Sequence, residues 1–155
     1  MQNKVLILAA LLFTGCGPDR VTEYSCHGTF VTRVDKGATS QFFYGTYAQA
    51  SGQPAVVETH YPGFDGLMDA YLTFKGKQVE IQPAGGYFET KTPHKNLSIT
   101  DRDNSVFPDW LDSIRSDMSH TVYLAANLEY ETKRNQQYRS GVKATTVQVG
   151  FLSSF

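Results

Sequence analysis

Residues 67–82 read LMDAYLTFKGKQVEIQ, and their alternation decides the class of the fold. Met68, Ala70, Leu72 and Phe74 fall on one side of an extended chain, with Asp69, Tyr71 and Thr73 on the other. Lys75, Gly76 and Lys77 then reverse the chain into QVEIQ, where Val79 and Ile81 oppose Gln78, Glu80 and Gln82. Two alternating runs about a glycine-centred turn predict a β-hairpin.

Working outward, the same pattern predicts strands over residues 23–34, 41–50, 55–60, 87–92 and 97–100. In VYLAANLEYETK (122–133), Leu124, Ala126, Leu128 and Tyr130 share a face opposite Asn127, Glu129, Glu131 and Lys133, which reads as a further strand. The final segment, TTVQVGFLSSF (145–155), groups Val147, Val149 and Phe151. Eight or so short strands separated by Gly, Pro, Asn and Asp predict a mainly β domain, either an antiparallel sandwich or a small barrel. QFFYGTYA (41–48) places rings on both faces of one strand, as a central strand buried on two sides requires.

One segment has a different period. In FPDWLDSIRSDM (107–118), Trp110, Leu111, Ile114 and Met118 line one face at helical offsets, so a short helix is expected over about 108–118. Pro108 suits the first helical position, and Asp109 and Asp112 lie where the positive end of the helix favours carboxylates. The helix is expected to pack across one end or one open face of the sheet, with Trp110 as its anchor.

Composition narrows the function classes. The 155 residues and 41% hydrophobic content suit one ordinary domain with a core. The formal charge is only -1 and the cations are scattered, which argues against a nucleic-acid partner. No G-x-S-x-G occurs, and Cys26 beside His27 lies on a predicted strand, where neighbouring side chains point to opposite faces. Cys26 is therefore expected to be a sheltered thiol and not a nucleophile, and no catalytic residues are assigned. His27, His60, His94 and His120 lack the close spacing of zinc sites, so no metal is assigned to them. Asp101, Asp103, Ser105, Asp109 and Asp112 occupy positions one, three, five, nine and twelve of a calcium-loop frame. Val106 stands where that frame needs glycine, and Asp112 where it needs a bidentate Glu, so calcium is a weak candidate.

The amino terminus carries the most specific signal. Lys4 precedes the apolar run VLILAALLF (5–13), which at nine residues is well short of the about 20 that a membrane-spanning helix needs. It reads as a secretory signal, residues 1–15, followed by a tether, 16–20, and a single β-rich domain, 21–155. Thr14, Gly15 and Cys16, after Leu12 and Phe13, resemble the bacterial lipobox. That resemblance implies cleavage between Gly15 and Cys16, and a diacylglyceryl thioether and an N-acyl chain on Cys16. Two or more chains make a stable anchor where one is marginal. Because Gly17, and not Asp, follows the cysteine, the resemblance also implies the outer membrane, with the domain facing the periplasm.

Tyr24, Ser25 and Cys26 are similar to the Tyr-x-Cys near the start of the small envelope lysozyme inhibitors. The expected function is thus that of a non-enzymatic, lipid-anchored envelope protein that contacts an envelope protein partner. A lysozyme-inhibitor-like module or a small β module for an apolar ligand is the alternative, and no cofactor beyond the covalent lipid is expected.

Overall fold

In the computed structural model, which describes residues 20–60, 68–100 and 107–147, two β-sheets face each other across an apolar interior. The first half supplies β1 (Arg20–Cys26), β2 (Thr29–Lys36), β3 (Thr39–Tyr44), the four-residue α1 (Tyr47–Ala50) and β4 (Val57–His60). There follow β5 (Asp69–Lys75), β6 (Gln78–Gly85), β7 (Tyr87–Thr90), β8 (Leu97–Ile99), α2 (Phe107–Ser116), β9 (Thr121–Ala125), α3 (Leu128–Gln137) and β10 (Lys143–Val147). The six-stranded sheet runs β10-β1-β2-β3-β4-β7, and the four-stranded sheet runs β8-β6-β5-β9. This is a sandwich and not a closed barrel. Its pairs are antiparallel except β6 with β8, which run parallel.

The 67–82 stretch becomes the β5–β6 hairpin, with Lys75 paired to Gln78 across a two-residue loop whose Gly76 has φ +63°. Such short loops match the right-handed twist of the strands they join. Ala70, Leu72, Phe74, Val79 and Ile81 point into the sandwich and are almost wholly buried, each large side chain contributing about 1.5–3 kcal/mol on removal from water. Tyr71, on the opposite face, is also fully buried: with Tyr123 and Ala125 of β9 and Met118, it packs under Leu111 and Ile114 of α2. The helix therefore lies on the outer face of the smaller sheet through Leu111 and Ile114, while the side chain of Trp110, its expected anchor, lies outside the described residues.

Three expectations are corrected. Residues 23–34 are two strands, because the chain reverses at His27 and Gly28, where φ is +48° and +79°. Residues 41–50 leave the sheet after Tyr44, and α1 with its flanking loops crosses the outer face of β1–β3. Residues 122–133 are strand only as far as Ala125 and then helix, so the described residues contain three short helices where one is expected. Asn127 caps α3 by accepting from the Tyr130 N–H at 3.0 Å.

That last correction explains how the sandwich is closed. β9 is an edge strand, and its outward Tyr123 and Ala125 amides need partners. Asn135 accepts from the Tyr123 N–H at 2.7 Å and donates to the Tyr123 carbonyl at 3.0 Å, while Glu131 accepts from the Ala125 N–H at 2.8 Å. Two residues of strand advance about 6.8 Å. Four residues of helix advance about 6.0 Å, so side chains at 131 and 135 meet amides at 125 and 123 in register.

Glu131 also reaches into the larger sheet. Arg33 of β2, fully buried, donates to it at 2.8 Å, and the Tyr24 hydroxyl of β1 donates at 2.7 Å. Arg33 Nε donates to Asp35 at 2.7 Å, and Asp35 in turn binds the Ser40 hydroxyl and Arg20. Burial works against the Arg33 charge, but Tyr24, Glu131 and Asp35 more than offset it and hold the Arg33 pKa above its ordinary value; burial beside Glu131 raises that of Tyr24, which keeps the phenol a donor. Burial raises the Glu131 carboxyl above its ordinary pKa, a rise that Arg33, the Ala125 amide and the Tyr24 hydroxyl reduce but do not cancel.

Removing one member of a buried pair strands the other, so Glu131→Ala should destabilise the fold by about 3–5 kcal/mol in urea unfolding. The double change Arg33→Met, Glu131→Leu should cost clearly less than that. Equal losses would show that the charge pairing is immaterial.

Candidate functional site

Among the concave features of the described residues, one gathers a thiol with two imidazoles and another is a groove under α1. The first lies at the end of the sandwich where two hairpin turns and the approach to β9 converge. Cys26 closes β1, His27 occupies the following turn, and Phe74 to Gly76 form the end of the β5–β6 hairpin. His120 immediately precedes β9. Together they line a pocket of about 280 Å³.

The backbone around this pocket is firmly held. Thr29 Oγ1 donates to the Gly76 carbonyl at 2.8 Å, tying one hairpin to the other, and the Phe74 N–H donates to the His120 carbonyl at 2.8 Å. Asp117 accepts from the Ser119 N–H at 2.9 Å, which shapes the turn that presents His120. In this frame Cys26 Sγ and His120 Nδ1 are 3.5 Å apart, and the His27 and His120 rings lie 5.2 Å apart at 53°. The sulfur and one nitrogen from each ring fall within 4.8 Å of one another.

Sequence reasoning separated these residues for two identifiable reasons. The opposite-face argument for Cys26 and His27 holds only on a continuous strand, and the chain turns at His27. His120 is 94 positions from Cys26, a separation bridged only by tertiary pairing. Cys26 itself is a buried free thiol, as expected, and burial pushes its pKa up.

The second feature is a half-open groove of about 400 Å³ on the outer face of the larger sheet, roofed by α1 and the loop after it. Val21, Val34, Phe43, Tyr47, Ala50 and Pro54 supply its apolar surface. The two-sided aromatic strand thus divides its rings: Phe42 is buried in the core, while Phe43 faces the groove.

The other sequence candidates fall elsewhere. His60 lies 2.9 Å from the Thr39 hydroxyl, and His94 stacks on Tyr44 at 4.9 Å, so neither joins the cluster. Asp112 is exposed on α2, whereas Asp101, Asp103 and Ser105, like Gly15 and Cys16, lie outside the described residues, as does the Asp109 side chain. Tyr24 and Cys26, the residues shared with the lysozyme inhibitors, both point inward, Tyr24 to bond Glu131. No family model matches the chain, and no curated protein or solved structure is similar to it.

Proposed function

We propose that this protein is a lipid-anchored, non-enzymatic component of the bacterial outer membrane whose β sandwich faces the periplasm and contacts an envelope protein. The observation that carries this reading is the lipobox-like run Leu12 to Cys16, ending four residues before β1 begins at Arg20. With at most about 3.6 Å per residue, that tether keeps the start of β1 within roughly 15 Å of the lipidated sulfur. The sandwich then sits against the membrane surface with little freedom to move away from it.

Metabolic labelling with a palmitate analogue tests the anchor. The native chain should take up label and sediment with membranes, and Cys16→Ser should lose the label and enter the soluble fraction. A native chain that remains unlabelled refutes the reading.

The groove favours a second reading, a β module for a ligand with an apolar portion, since its lining mixes apolar side chains with Lys36, Gln41, Ser51 and Gln53 and its volume lies within the ~300–1,000 Å³ usual for small-molecule sites. Val21, just beyond the tether, lines it, so the groove would open close to the lipid surface. On this reading the native chain enhances the fluorescence of an apolar naphthalene dye, a long-chain fatty acid displaces the dye, and Phe43→Asp abolishes the effect. Enhancement that survives Phe43→Asp would sink it.

A further inference from the structure

We propose that Cys26, His27 and His120 form a three-ligand site for a single zinc-class ion, with the fourth coordination position open to solvent through the pocket they line. The donor set is one thiolate and two imidazoles, the chemistry that borderline-soft divalent ions prefer over the carboxylates that suit calcium or magnesium. With Zn–S near 2.3 Å and Zn–N near 2.05 Å at a tetrahedral angle, sulfur and nitrogen ligands stand about 3.6 Å apart. Cys26 Sγ and His120 Nδ1 stand 3.5 Å apart. The third donor, on the His27 ring, lies within 4.8 Å of the other two ligand atoms, and reaching tetrahedral separations takes a ring movement of about 1 Å.

Position 27 supports the assignment independently. It is the first residue of a two-residue hairpin loop with positive φ at both members, +48° and +79°, the geometry of an Asn-Gly turn. Asn is the residue that such a turn favours there, yet His27 occupies it and places its ring against His120. His27 and His120 are exposed, whereas Cys26 is buried, so an ion would be held from the protein side by sulfur and remain accessible on the other. Lys75 also lines the pocket, but its ammonium is engaged by Glu80 at 2.8 Å. Binding breaks the Cys26 S–H bond: the proton passes to solvent, and the sulfur lone pair forms the metal bond, with no change of oxidation state.

Anaerobic titration of the reduced, detergent-purified full chain with Co(II), a spectroscopic stand-in for zinc, tests the site. The expected result is one Co(II) per chain with a thiolate-to-cobalt charge-transfer band that Zn(II) bleaches. His120→Gln and His27→Asn should each weaken binding by more than the ~10–100-fold that follows loss of a mere outer-shell partner. Cys26→Ser should abolish the band. Because His27→Asn restores the favoured turn sequence, its melting temperature should match or exceed that of the native chain, which separates loss of the ligand from loss of the fold. A native chain without the band, or either histidine variant binding with unchanged affinity, overturns the proposal.

Discussion

The Glu131 carboxylate is the contact on which the rest of the structure depends. It accepts from Arg33 and Tyr24 in the larger sheet and from the Ala125 amide at the edge of the smaller one, and it is carried by α3. One side chain thus joins three elements that hydrophobic burial alone would leave free to slide. An apolar core holds two sheets together without fixing their relative position, whereas hydrogen bonds to a buried carboxylate are directional. The alternative registers would strand the Glu131 carboxyl in the interior without Arg33, and leave Arg33 with Asp35 alone, at a cost of several kcal/mol.

This arrangement also shows why the fold was only partly legible. The β5–β6 hairpin and α2 could be read because their apolar residues follow the period of their own element, 2 for Ala70, Leu72 and Phe74, and near 3.6 for Leu111 and Ile114. Segment 122–133 could not, because the buried residue of α3 is a glutamate, and no hydropathy pattern marks a carboxylate as interior. Asn127 was the available signal: as an N-cap it favours a helix start, against the alternation that continued through it. The turn at His27 and Gly28 was hidden for a related reason, since Tyr24, Cys26, Gly28 and Phe30 keep a two-residue spacing of apolar and small residues running across it. The Cys26, His27 and His120 cluster depends on both that turn and the placement of β9, so it was invisible to any local reading.

The two ends of β1 carry different proposed roles. The strand starts at Arg20, close to the tether, and ends at Cys26, about 20 Å further on at ~3.4 Å per residue. The groove lined by Val21 lies near the Arg20 end, and the pocket lined by Cys26 lies at the other. A sandwich held at one end by lipid would therefore present its Cys–His–His cluster away from the attachment point, where a soluble ion or partner can reach it. The Arg33–Glu131 tie lies along the strands between these features, so the frame that separates them is the same one that closes the sandwich.

If Glu131 and Asn135 unite α3 with both sheets, the helix cannot open without the sandwich opening too. Native-state hydrogen exchange measures this directly through the amides of Tyr123, Ala125 and the second turn of α3, compared with those at the centre of β2. The account predicts that all of them exchange with the same free energy, that of global unfolding, in a single cooperative unit. Exchange in α3 and at Ala125 through a separate opening of much lower free energy, with β2 still protected, would contradict it.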